Sequence, residues 1–116
     1  MTESSLQQQI YNFFQNTYCL KHHSPRGMIL SIPNGGTRNK MEAITLKATG
    51  LLPGASDLIV ITPNGKIMFI ELKTETGVQS DVQKDFQSRI ELLGYEYHLI
   101  RSLTEFQSLF NENTAK

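Results

Sequence analysis

The first grouping able to do chemistry is Glu71-Leu72-Lys73. On an extended strand Phe69, Glu71 and Lys73 share one face, and Ile70 and Leu72 point to the other. Three of these five residues are large and apolar, which predicts a central strand. Two charges on one face of a central strand are costly unless they are paired or neutralised. The plainer alternative is an edge strand carrying a solvated Glu/Lys pair. Asp57 shifts the balance towards the central strand. It opens the preceding apolar run, and Thr62-Pro63-Asn64-Gly65 is a hairpin signal between the two runs. Antiparallel pairing then sets Asp57 across from Glu71 and Lys73. Two carboxylates with a lysine two residues on make an oxygen-donor site for a hard cation. Phosphodiester hydrolysis needs such a set, because the diester is anionic and water is a poor nucleophile at neutral pH. A bound Mg²⁺ or Mn²⁺ polarises the phosphoryl oxygen and acidifies its water. A lysine ammonium orients that water or stabilises charge on the phosphate. The expected metal ligands are Asp57, Glu71 and the backbone carbonyl of Leu72.

The elements that must position these residues follow from periodicity. Leu6, Ile10, Phe13 and Phe14 recur at helical spacing, which predicts an amphipathic helix of about four turns. Ser4 and Gln7 fit a capping box at its start. Met28–Ile32 is a short strand, broken by Pro33-Asn34-Gly35-Gly36. Arg38–Thr49 is predicted helical with Met41, Ile44 and Ala48 inward, and Gly50 is placed to end it. Strands follow at Asp57–Ile61 and Lys66–Lys73. A helix over Asp81–Leu93 has Val82, Phe86, Ile90 and Leu93 on one face, a capping box from Ser80 and Gln83, and Gly94 at its end. Tyr97–Arg101 is a last strand. Ser102 and Glu105 make a third capping box, opening a helix with Phe106, Leu109 and Phe110. This order predicts one α/β domain over residues 1–116, with a mixed sheet flanked by helices. The stretch between the Glu71 and Tyr97 strands is long enough for a right-handed parallel crossover.

Composition excludes several classes. At 116 residues the chain has room for one domain, and 39% hydrophobic with 19% charged residues argues against disorder. A single cysteine, Cys19, excludes a disulfide framework and a cysteine-rich zinc site. It is expected to be a small buried hydrophobe at the end of the first helix. Apolar runs are as short as Leu58–Ile61, so no membrane span is expected. Met1–Ser5 lacks the layout of a secretion leader, which makes a cytoplasmic location the expectation. Basic and acidic residues balance at 11 each, and taken alone that argues against a nucleic-acid binder. The average hides a pattern. Lys21, Arg26, Arg38, Lys40 and Lys47 face the single acid Glu42 between residues 21 and 47, whereas acids outnumber bases afterwards. The pattern fits a solvated face, or a protein that holds a phosphate backbone beside a carboxylate metal site.

The residues together carry a resemblance. Pro53-Gly54-Ala55-Ser56-Asp57 followed by Glu71-Leu72-Lys73 resembles the PD-(D/E)XK nuclease pattern, with the proline displaced from its usual place beside the Asp. Ser31–Gly36, the helix from Arg38 to Gly50, Phe69–Lys73, Gln83 with Phe86, Gly94-Tyr95 and Arg101-Ser102 extend the match in one order from about Glu3 to Phe110. The wider chain is similar to a stand-alone virus-type replication-repair nuclease (VRR-NUC) domain. The resemblance implies a restriction-endonuclease-like core and a metal-dependent endonuclease acting as a homodimer. It further implies branched DNA such as four-way junctions or flaps, and a phage or bacterial setting, hence the cytoplasm of a bacterial host. It carries Glu3 over as a further metal-site acid, reaching the ion through water, within Glu3-Ser4-Ser5-Leu6-Gln7. A plain helix-N-terminal acid would occupy the same place. Gln83 matches the family's active-site glutamine, and a capping role competes for it. Asn34, Gly35 and Gly36 are either a simple turn or exposed N–H groups facing phosphate. Arg38, Lys40 and Lys47 are the expected DNA contacts, against a default of solvated charge.

Other residues point less far. His22 and His23 are adjacent, with no third His near, which disfavours a zinc or HNH-type site. Tyr11, Tyr18, Phe13 and Phe14 suit a core or an interface between copies better than a base-stacking platform. The competing reading is a non-catalytic module that keeps the fold and binds DNA or a protein. A sequence-specific restriction enzyme would need a segment for base readout that a chain this short lacks.

Overall fold

In the computed structural model of the protein, residues 1–32 and 40–110 are described. The sheet among them has the order β1-β2-β3-β4 (Met28–Ser31, Leu58–Ile61, Ile67–Leu72, Glu96–Ile100). β1, β2 and β3 form an antiparallel meander, with Leu30 opposite Ile59 and Leu58 opposite Ile70. β4 runs parallel to β3, with Glu71 opposite Leu99. The crossover between them contains helix α4 (Asp81–Leu92). The mixed sheet expected from the element order is therefore present, and the Glu71 strand is an inner one.

Period-two alternation along β3 divides the interior in two. Met68, Ile70 and Leu72 join Leu6, Ile10, Phe14 and Phe106 in one core. These last four lie on or just beyond α1 (Glu3–Phe13) and on α5 (Leu103–Ser108). Phe69 faces the other way, onto a smaller cluster of Ala55, Phe86, Ile90 and Tyr97 under α4. Each fully buried Leu, Ile or Phe contributes roughly 1.5–3 kcal/mol, so the α1/α5 face dominates stability and the α4 face is the lighter layer.

The first helix departs from the regular period. Thr2, not Ser4, caps it, accepting from Ser5 N–H at 3.0 Å. A Ser4 cap would leave Glu3 outside the helix, whereas Glu3 sits in its first turn. Beyond Phe13 the chain widens into a π-helical turn over Phe14–Tyr18, followed by the short α2, Cys19–Lys21. In a regular helix five residues rotate a side chain by about 140° off the face. The wider turn returns Cys19 to the face of Phe14, and Cys19 is fully buried beside Gly27.

Two apolar faces differ from expectation. In α3 (Lys40–Ala48) Met41, Ile44 and Ala48 are exposed, and Leu46 is half-buried instead. In α4 only Phe86 and Ile90 are buried, while Val82 and Leu93 are exposed. The i, i+4 pair Phe86/Ile90 covers the width of a cluster this small, and one further turn at either end already overhangs it. Gly50, Gly65 and Gly94 adopt positive φ at the predicted helix ends and hairpin turn. The Ser80/Gln83 capping box forms completely. The Ser102/Glu105 box forms by half: Ser102 accepts from Glu105 N–H, but the Glu105 carboxylate accepts from Arg101 N–H at 2.6 Å. Among the described residues, no helix is long and apolar enough to cross a membrane.

Candidate active site

Asp57 precedes β2 by one residue, so the hairpin register sets it across from Glu71. Its backbone N–H donates to the Ile70 carbonyl at 3.0 Å. Its Oδ2 accepts from the Leu72 N–H at 2.7 Å. These two bonds hold the Asp57 carboxylate over the end of β3. Glu71 is 2% exposed on the α4 face of that strand, and its carboxyl feels the charge of Asp57. Burial pushes the Glu71 carboxyl up to about 8, with the charge of Asp57 adding to it; the Lys73 ammonium pulls the other way, and Glu3 contributes a smaller upward push. Near neutral pH Glu71 therefore keeps its proton.

Glu71 is held from two further sides. Its Oε2 accepts from Gln83 Nε2 at 3.0 Å, and its Oε1 lies 3.4 Å from the Tyr97 hydroxyl. The two readings of Gln83 turn out to be one device. Its Oε1 accepts from the Ser80 N–H at 2.9 Å as the return half of the capping box. That bond fixes which end of the amide faces Glu71: the NH₂ group must. Replacing Gln83 by Glu separates the roles. The carboxylate keeps the capping bond and suits a helix N-terminus, but it removes the donor to Glu71 and adds a third acid. We expect melting within ~1 kcal/mol of wild type and cleavage slowed by about 10²-fold, read by thermal denaturation and by single-turnover cleavage.

Tyr97 escaped the sequence reading. Its hydroxyl accepts from Gln79 Nε2 at 3.1 Å, and the same Gln79 nitrogen donates to Gln87 Oε1 at 3.0 Å. Burial and the charge of Glu71 raise the Tyr97 phenol, so it stays a neutral donor. The parallel register places Tyr97 beside Phe69, one position along the face from Glu71. A single strand sequence does not carry that register. Only the alternation of Tyr97 and Leu99 marks Tyr97 as facing one layer.

Gly54 sets the distance between the acids' loop and α4. Its φ is +82°, and a Cβ there would lie 2.4 Å from the Val82 carbonyl oxygen and 2.9 Å from Gln83 N. The Pro53-Gly54 turn thus lies directly on the first turn of α4, which is how Gln83 reaches Glu71. Gly54→Ala is expected to cost about 2–4 kcal/mol, from positive φ plus overpacking. Chemical denaturation measures this loss.

Lys73, half-buried, follows the last residue of β3, and its N–H donates to the Ile100 carbonyl at 3.1 Å. It lines a cleft of about 450 Å³ with Thr2, Leu6 and Arg101. Glu3 is exposed in the first turn of α1 and acts on Glu71 only through its charge. Among the described residues, no three Asp, Glu, His or Cys side chains gather closely enough to hold a metal by themselves. Asp57 and Glu71 are brought together, and Glu3 is not brought into direct contact with them. His22 stacks on Tyr18 at 4.5 Å, and His23 is exposed. Lys47 is exposed in the last turn of α3. Lys40 opens that helix, and its side chain lies outside the described residues. Asn34, Gly35, Gly36 and Arg38 lie outside them as well.

Comparison with known proteins agrees with this architecture. Comparison with curated proteins gives no match. Two solved structures share the fold. One, titled "VRR_NUC domain protein", is 19% identical, with a TM-score of 0.73 over 97% of this chain and 87% of that one. The other, titled "VRR_NUC domain", is 21% identical, with a TM-score of 0.64 over 95% of both chains. The family model for the VRR-NUC domain matches residues 2–103. The chain belongs to the VRR-NUC domain family, a family of nucleases with the PD-(D/E)XK fold.

Proposed function

We propose that the protein is a divalent-metal-dependent DNA endonuclease whose active centre is Asp57, Glu71 and Lys73, assisted by Gln83. The observation that carries this reading is the buried Glu71 carboxyl set against Asp57, with the Lys73 charge acting on Glu71. The donor set is all oxygen, which suits Mg²⁺ or Mn²⁺ rather than zinc. Asp57, Glu71 and the Leu72 carbonyl would hold the ion, with Glu3 reaching it through water. When bound, the ion supplies Lewis-acid polarisation of the phosphoryl oxygen and a more acidic water. Lys73 places a cation against the charge that develops on the phosphate. Gln83 and Tyr97 keep the Glu71 carboxylate oriented once its proton has left.

Branched DNA as preferred substrate, and action as a homodimer, follow from the family likeness and belong to the same proposal. The exposed Met41 and Ile44 of α3 are compatible with an interface between copies. The basic residues between 21 and 47, Arg38, Lys40 and Lys47 among them, would supply phosphate contacts, presented twice in a dimer. The expected result is cleavage of four-way junctions or flaps ahead of linear duplex, in Mg²⁺ or Mn²⁺ and not in EDTA. Light scattering is expected to give twice the chain mass. A monomer at working concentration would remove the dimer from the proposal. Failure to cut any substrate would favour a non-catalytic module that binds DNA or a protein.

A further inference from the structure

Lys73 and Arg101 leave the sheet side by side. Leu72 and Ile100 end neighbouring parallel strands opposite one another, so the next residue on each strand lies at the same level. The Lys73 backbone is fixed there by its bond to the Ile100 carbonyl. A strand ladder does not fix a long, flexible lysine stem, and holding one in place opposes its rotamer entropy. The chain supplies a wall for that stem. Residues 74–77 form a turn in which the Gly77 N–H donates to the Thr74 carbonyl at 3.2 Å. The turn folds back onto the lysine: a Cβ on Gly77 would lie 3.4 Å from Lys73 Cδ. Burial does not hold this turn, because Glu75, Thr76 and Val78 are exposed. Arg101 does. Its Nη1 donates to the carbonyls of Thr74 and Gly77 at 2.7 Å each, and at 3.3 Å to that of Glu75. Among the described residues, these are the only hydrogen bonds that reach residues 74–77 from another element. Bonds from a charged donor are the stronger kind, so one guanidinium nitrogen decides where the turn sits.

We propose that Arg101 is a positioning residue for Lys73: it pins the 74–77 turn, and the turn holds the Lys73 stem so that its ammonium faces the Asp57/Glu71 pair. This rests on the reading of the site as a nuclease centre. The charge of Lys73 already acts on Glu71. Arg101 itself touches neither DNA nor metal in this role, since its Nη1 is taken up by backbone carbonyls. One nitrogen makes all three bonds, so a lysine at this position keeps part of them. A methionine has a stem but no donor and keeps none.

The test is a double-mutant cycle in the full chain. Arg101→Met is expected to slow single-turnover cleavage about 10- to 100-fold, as a misplaced reacting group does. The half-saturating DNA concentration is expected to stay unchanged, and Arg101→Lys to recover part of the rate. In a Lys73→Ala background Arg101→Met is expected to have no further effect, because the group it positions is gone. A second readout needs no cleavage. In EDTA the two ε-methylene protons of Lys73 are expected to resonate apart in the wild type, as in a fixed side chain. They are expected to merge in Arg101→Met while the β3 and β4 amides stay in place. Separate ε-protons that persist in Arg101→Met would overturn the proposal and leave the nuclease reading intact. Equal loss of rate in both backgrounds would overturn it too, as would displaced β3 and β4 amides. A raised half-saturating concentration at an unchanged rate would make Arg101 a DNA contact instead. Merged signals in Arg101→Met, from a wild type that cuts no DNA, would remove the nuclease reading while Arg101 still positions Lys73.

Discussion

Lys73→Ala is expected to lower the cleavage rate by about 10³-fold, in the range of removing a preorganised charge from a reacting centre, while binding of Mn²⁺ and DNA persists. Lys73 follows the end of β3, where Leu72 is paired with Ile100 and the Lys73 N–H bonds the Ile100 carbonyl. The strand therefore stays in register without the side chain. What the variant loses is the ammonium, the one influence that lowers the Glu71 carboxyl against burial and two acids. Two consequences separate Lys73 from a structural residue. Single-turnover cleavage falls with little change in the DNA concentration at half-saturation. The Glu71 carboxyl also moves further up, so residual activity needs a higher pH. A loss of binding equal to the loss of rate would make Lys73 a docking contact instead.

The second large effect is on stability against pH. The Glu71 carboxyl lies at about 8 in the folded chain, against 4.5 as its ordinary value. The folded state therefore binds more protons than the unfolded one between those values. The contribution is fully present below pH 4.5 and is lost as pH rises through 8. Its size is on the order of 3–5 kcal/mol. In EDTA the melting temperature is expected to fall across that window. On the proposed function a divalent cation takes the place of the proton, so Mg²⁺ or Mn²⁺ is expected to restore stability at pH 8 and to change little at pH 5. Glu71→Gln removes the cost of ionisation. It is expected to melt on the order of 5–10 °C higher at pH 8 and to be inactive. Greater stability together with lost activity marks a strained functional group rather than a structural one. A flat pH profile in the wild-type chain would contradict the burial of Glu71.

Much of this site is legible in the sequence, and the reason is local. A hairpin with a clear turn fixes register, so Asp57 and Glu71 could be set opposite each other from the spacing around Asn64-Gly65 alone. The Ser80/Gln83 box is a four-residue signal, and it formed as written. What was hidden depends on long-range placement. Tyr97 reaches Glu71 only because the α4 crossover sets a parallel register. Gly54 matters because α4 happens to lie on it. The π-helical turn that seats Cys19 has no periodic signature, since it breaks the period used to find helices. The inward face assigned to α3 failed for a related reason. Periodicity marks an apolar stripe, but it does not say whether this chain or another covers it, and Met41 and Ile44 are exposed. Under the proposed function the balanced charge misleads as an average in the same way, because an acid pair holding a cation would no longer oppose DNA.

The most direct test is cleavage of a labelled four-way junction in Mg²⁺ by purified wild-type protein and by Asp57→Ala, side by side. Asp57 carries the bond to Leu72 and the charge beside Glu71, so the site does not survive its removal. The wild type is expected to cut, EDTA to stop it, and Asp57→Ala to leave the junction intact. Cutting at equal rates by both proteins would contradict the proposed active centre.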